Sequence, residues 1–142
     1  MTEGPGVSTS PPAVVVDAST AVSLLGGDAG LLELWRAWTE AGSMILAPGL
    51  LTTEVANALL RSVGLDALET SNRVRQLLAI GLEPVDRGLP GLLGAVELAD
   101  RHQLSVYDAL YLDLALDVDG DLATLDRELA SAAAAEGVQV IA

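Results

Sequence analysis

The chain has 142 residues, 51% of them hydrophobic, and its 20 acidic and 7 basic side chains leave a net charge of −13. That length fits one domain with ample core, and no apolar run reaches the roughly 18 residues a membrane span needs. All seven basic residues are Arg, there is no Cys, and His102 is the sole histidine, which excludes a Walker-type lysine, Schiff-base chemistry, thiol nucleophiles, thiolate metal sites, a two-histidine ribonuclease and a multi-histidine zinc site within one chain.

The catalytic vocabulary that remains is mostly carboxylate, hydroxyl and Arg. Absence of Cys fits a reducing compartment such as the cytoplasm, and the N-terminus shows no basic region leading into an apolar stretch, so no secretory signal is expected. So acidic a chain does not bind nucleic acid through a general basic surface. Cations must bridge to a polyanion, or local Arg must steer it. Such a surface also suits a basic protein partner, or serves solubility alone.

Residues 1–12 (MTEGPGVSTSPP) read as a flexible tail, ahead of a domain over 13–142. Residues 13–16 form a first strand, and its valine run reads as buried on both faces, as in a parallel sheet. Asp17 follows at the carboxyl end, where such sheets bind ligands; as an N-cap for the next helix it has an equally direct structural role. That helix spans about Ser19 to Leu25 and stops at Gly26-Gly27. A second helix, 30–42, repeats Leu31, Leu34, Trp35 and Trp38 at helical spacing, and its two indoles serve either the core or a partner groove.

Met44–Ala47 is a second strand, broken by Pro48-Gly49. A helix from Leu50 to Val63 carries Glu54 and Asn57 on one side. Another covers 66–80 with Leu68, Val74, Leu77, Leu78 and Ile80 as apolar positions and Arg73 and Arg75 solvated. Leu82–Val85 is a weak third strand, placed at an edge by Pro84. A helix follows from Leu92 to His102. The next runs from Ser105 to about Leu116, with Ser105 and Asp108 as a capping box, a mostly buried apolar body and Asp113 and Asp117 on its wet stripe. The run Asp117–Asp121 is a turn; it lacks the length and the terminal glutamate of a calcium loop. Leu122–Leu125 is a fourth strand, Asp126 caps a helix over 127–136, and Val138–Ile141 is a fifth strand. The alternation predicts a single α/β domain, a central parallel sheet of about five strands flanked by helices.

Asp17 and Asp126 follow the first and fourth strands, Glu54 lies a turn or so into the helix after the second, and Asp108 opens the helix that feeds the fourth. Each has its own capping or dipole explanation. Four acids at matching topological positions are harder to explain that way. Clustered carboxylates raise one another's pKa and are stable together when protonated or bound to cations. Oxygen-only donors select hard ions such as Mg²⁺ or Mn²⁺, which support phosphodiester hydrolysis without Lys, Cys or paired His.

The blocks Val16-Asp17-Ala18-Ser19, Thr53-Glu54-Val55-Ala56-Asn57-Ala58-Leu59, Tyr107-Asp108-Ala109-Leu110-Tyr111 and Thr124-Leu125-Asp126-Arg127-Glu128-Leu129 resemble, in order, the motifs of PIN-domain ribonucleases, in particular VapC-type toxins of toxin–antitoxin pairs. The resemblance covers about 13–142. It implies a PIN-like domain and a Mg²⁺- or Mn²⁺-dependent endoribonuclease that cuts structured RNA and stops translation. It also implies a homodimer neutralised by a cognate antitoxin. Asp17, Glu54, Asp108 and Asp126 map onto the family's catalytic, metal-side acids, Thr124 onto a polar position lining the site, and Asn57 onto a supporting residue, a role also expected of Ser19. The Trp35 and Trp38 helix maps onto part of the antitoxin groove. Asp113 stands where the family usually has a small apolar residue. The rival readings are a non-catalytic interaction module of the same fold and an aspartyl phosphotransferase. The latter is disfavoured because one large such family needs a second acid where Ser19 stands and receiver domains need a lysine.

Overall fold

A computed structural model describes residues 10–141. The expected N-terminal tail therefore lies outside the described residues, apart from 10–12, which precede the first strand without helix or strand. The elements run β1 (Val14–Val16), α1 (Ala18–Leu25), α2 (Ala29–Ala41), β2 (Ile45–Pro48), α3 (Leu50–Asn57) with a π-helical continuation (Ala58–Val63), α4 (Ala67–Ala79), β3 (Leu82–Val85), α5 (Gly88–His102), α6 (Val106–Asp117), β4 (Asp121–Ala123), α7 (Arg127–Ala135) and β5 (Val140–Ile141).

All strand pairings are parallel, in the order β3-β2-β1-β4-β5. The chain winds from β1 outward to β3, returns, and adds β4 and β5 on the other side of β1. Right-handed crossovers then place α1–α4 on one face and α5–α7 on the other. The packing agrees, since α1 touches α2, α3 and α4 while α6 touches α5 and α7. The winding reverses between β1 and β4, and such a switch point opens a crevice at the carboxyl ends of the strands.

The core is mostly aliphatic, with Trp35, Trp38 and Tyr111 among it, and is centred on β1, whose three valines are all buried as the sequence predicts. Helix α6 lies against β1, β2 and β4 and buries Ala109, Tyr111, Leu112, Leu114 and Ala115. Caps fall where the sequence places them. Asp17 accepts from Thr20 N, Ser105 from Asp108 N, and Asp126 from Glu128 N and Leu129 N. Asp119, at φ 51°, makes the expected turn before β4. β3 is an edge strand, with Pro84 opposite Ala47.

Trp35 and Trp38 take the core role that the sequence allows, 5% and 8% exposed, and Trp35 Nε1 donates to the Ile80 carbonyl oxygen. Several other expectations are corrected. Leu68, Leu78 and Ile80 on and after α4 are exposed, because only a narrow stripe around Leu77 and Val74 meets the core. Arg73 is not simply solvated: it pairs with Glu69 and donates to the Leu25 carbonyl oxygen, fastening α4 to the end of α1. Arg75 does stay exposed, bonded to Asn72. Asp113 is half-buried and paired with Arg87, not part of a wet stripe. The helix expected over Leu50–Val63 changes to π geometry after Asn57. Helix α5 begins at Gly88 rather than Leu92, since Pro90 falls in the first turn, where no N–H is needed.

Candidate active site

Asp17 leaves β1 directly into α1 and is 5% exposed. Such a burial needs donors, and three are supplied. Asp17 Oδ1 accepts from Ser19 Oγ at 2.8 Å and Thr20 N at 2.9 Å, and Asp17 Oδ2 accepts from Thr124 Oγ1. Thr124 is the first residue after β4, so this bond crosses the switch-point crevice. The hydroxyls also tie down the β4–α7 loop: Ser19 Oγ accepts from Leu125 N at 3.2 Å, and Thr124 Oγ1 accepts from Asp126 N at 3.0 Å. Thr20 Oγ1 reaches the Ala123 carbonyl oxygen at 3.1 Å. Ser19 and Thr124 thus bond to Asp17, whereas Asp126 stands three residues past the end of β4 rather than directly at it.

Glu54 comes from α3, in the other helical layer from α6, and accepts a hydrogen bond from the Tyr111 hydroxyl. Burial is the largest cause that raises the Glu54 pKa; the charges of Asp108 and Asp17 push the same way, and the Tyr111 bond opposes them. Asp108 is also raised, first by burial, then by Asp126, Asp17 and Glu128, against the bond to Ser105. Tyr111 is shifted upward by burial and by Glu54, so its phenol stays protonated and donating. The four acids thus share one electrostatic neighbourhood, joined by Glu128. Three of them sit at helix starts: Asp17 and Asp126 as N-caps of α1 and α7, Asp108 in the first turn of α6. The positive ends of three helices offset part of the gathered charge. Glu54 lacks that support and relies on Tyr111.

Asn57 is exposed at the end of α3 and bonds to none of the four acids. The sequence reading missed roles for Tyr111 and Thr20. For Tyr111 a signal existed: a hydroxyl three residues after Asp108, on the same side of a mostly apolar helix.

Among the described residues no three carboxylates converge closely enough to enclose a metal ion outright. The donor chemistry nevertheless fits a hard cation. All side-chain donors are oxygens, the pKa values of Glu54 and Asp108 are raised by burial first and by neighbouring carboxylates second, and a hydrated Mg²⁺ is held through only one or two carboxylates. A separate cavity of about 350 Å³ opens beside α6 at the ends of β2 and β3, lined by Pro48, Leu50, Val85, Arg87, Leu110 and Asp113 among others, and by none of the four acids.

A fully parallel sheet with this strand order and acids gathered at its switch point defines a PIN-type α/β domain, and the PIN domain family model matches residues 14–135. The chain belongs to the PIN-domain family. It is 34% identical over 120 residues to Ribonuclease VapC1 of Mycobacterium tuberculosis, covering 83% of this chain and 89% of the relative. Solved structures share the fold at lower identity. A toxin–antitoxin complex from Klebsiella pneumoniae superposes with a TM-score of 0.69 at 16% identity, over 92% of this chain and 97% of the other. The protein PAE2754 from Pyrobaculum aerophilum gives 0.68 at 21%, over 91% and 89%. VapC20 of Mycobacterium tuberculosis, described as a sarcin–ricin loop cleaving toxin, gives 0.64 at 19%, over 84% and 95%.

Proposed function

We propose that this chain is a VapC-type toxin, a metal-dependent endoribonuclease that cuts structured RNA and thereby stops translation. The observation that carries this reading is the buried Asp17, fixed from both sides of the β1–β4 crevice by Ser19, Thr20 and Thr124 and facing the field of Glu54 and Asp108. The likeness to Ribonuclease VapC1 over most of both chains supports it.

Asp17, Glu54 and Asp108 would hold a Mg²⁺ or Mn²⁺ ion, directly or through water, with Asp126 supporting a second ion or orienting water. The bound ion supplies Lewis-acid polarisation of the phosphodiester and a more acidic attacking water. The chain's own contribution is positioning. Thr124 and Ser19 keep Asp17 in one orientation, and Tyr111 keeps Glu54 in another, so the cluster is assembled before RNA arrives.

A cognate antitoxin is the proposed partner, as the toxin–antitoxin neighbour suggests for a protein of this fold. Its contacts fall to exposed apolar residues such as Leu32, Val63 and Leu68, because the indoles of α2 are buried. The chain is proposed to act as a homodimer in the cytoplasm; no described helix is long and apolar enough to cross a membrane.

RNA cleavage by the partner-free chain in Mn²⁺, Mg²⁺ and EDTA, beside Asp17→Asn, tests the reading. We expect metal-dependent cutting that the substitution abolishes while the fold is retained. Cutting that persists in the variant, or in EDTA, would overturn the assignment.

A further inference from the structure

Resting on the nuclease reading above, we propose that Tyr107 is the platform on which an unpaired nucleobase of the RNA stacks beside the acids. The problem it answers is electrostatic. The chain carries a charge of −13 and no Lys, and most of its Arg are engaged. Arg73 pairs with Glu69, Arg87 with Asp113 and Asp117, and Arg101 with Glu136, while Arg75 bonds to Asn72. Of the three others, Arg36 lies within α2 and Arg61 in the π-helical segment; only Arg127, which opens α7 next to Asp126, adjoins the site. A backbone-tracking basic groove is therefore not what brings RNA to this edge.

Stacking does not need positive charge. Every base has a π-face, so an aromatic ring holds single-stranded RNA whatever its sequence. The described chain has four aromatic side chains, and three of them (Trp35, Trp38 and Tyr111) are buried. Tyr107 is 65% exposed, and its hydroxyl takes part in no hydrogen bond among the described residues. Tyr107 immediately precedes Asp108 and lies one turn before Tyr111, so it shares the side of α6 that carries the Tyr111–Glu54 bond. No packing need accounts for an aromatic there. Leu125, 48% exposed between Thr124 and Asp126, adds apolar surface on the β4–α7 loop, and Arg127, exposed and without an ion pair among the described residues, can meet an adjacent phosphate.

The test uses hairpin RNAs with random loop sequences and the full chain with Mn²⁺. Tyr107→Ala and Tyr107→Leu should raise KM roughly 5- to 150-fold, the range of stacking on one base, with little change in kcat. Tyr107→Phe and Tyr107→Trp should recover most of what Tyr107→Ala loses in KM, since each keeps an aromatic face. In an Asp17→Asn background, 2-aminopurine placed in the loop should be quenched on binding, and Tyr107→Ala should remove that quenching. If Tyr107→Ala or Tyr107→Leu cuts with unchanged KM, the stacking proposal fails and the nuclease reading stands. If the unaltered chain cuts no RNA in Mn²⁺, both fall together.

Discussion

Asp17 and Asp108 differ in how the fold accommodates their charge. Asp17 accepts from three donors. Asp108 and Glu54 have raised pKa values, burial first and neighbouring carboxylates second. The consequence has a definite sign. A carboxyl whose folded pKa exceeds its unfolded value binds more protons in the folded state, so its contribution to stability is lost as pH rises. In EDTA, stability should fall as pH climbs from the ordinary carboxylate range of about 4 toward neutrality. Mn²⁺ should reverse this, since a cation favours the ionised acids. Thermal unfolding of the chain and of Asp108→Asn, with and without Mn²⁺, measures the effect. The variant should lose part of the pH dependence in EDTA and most of the stabilisation by Mn²⁺. An identical pH profile in both proteins would mean that Asp108 is not held in a raised state.

The junction of α6 with β4 shows why particular elements tolerate little change. Gly120 ends the turn after α6, and its amide donates to the Ala115 carbonyl oxygen at 2.9 Å. A methyl group on it would lie 2.5 Å from the carbonyl oxygen of Ala13, the residue that leads into β1. The neighbour is backbone and already accepts from Asp121 N at 2.8 Å, so it cannot move without disturbing the β1–β4 register that brings Thr124 to Asp17. Gly120→Ala should destabilise the fold by about 1–3 kcal/mol through overpacking, read by chemical denaturation, and should impair cleavage beyond what the lost folded fraction explains. A stability equal to the parent would show that the strand entry can shift. Gly94 is a milder case: a methyl group there would meet the Asp113 carboxylate, the far end of a side chain that can turn aside, at the cost of disturbing its pairing with Arg87.

Across the whole molecule, charge and exposed apolar surface oppose each other. Two copies at −13 each repel, so a homodimer needs a contact patch with little charge. Leu89, Leu92, Leu93 and Val96 form such a stripe, 65%, 42%, 56% and 45% exposed, at the spacing of one face of α5. Such a stripe is where an isologous pairing is expected, since it would cover the exposed aliphatics of both copies at once. Sedimentation should find a dimer strengthened by salt, which screens the repulsion. Leu89→Ser with Leu93→Ser should yield a monomer of unchanged fold. A dimer that persists in the double variant would place the contact elsewhere.

The local pattern by itself determined the alternation of strands and helices, the burial of Val14–Val16, the edge position of β3 and the caps at Asp17, Ser105 and Asp126. These follow from periodicity, β-branching and the hydrogen-bonding reach of short polar side chains, all of which act within a few residues. The same blocks of residues carried the family resemblance and so singled out the four acids. Only the tertiary structure decided what those acids touch. Thr124 and Asp17 are 107 residues apart in the chain, and Tyr111 and Glu54 are 57 apart; no local rule pairs them, and the strand order β3-β2-β1-β4-β5 does. It also decided that Trp35 and Trp38 face the core, that Arg73 is tied to α1, and that Asp113 turns inward to Arg87. A helical period says that residues share a side, but only the neighbouring elements decide whether that side meets protein or water.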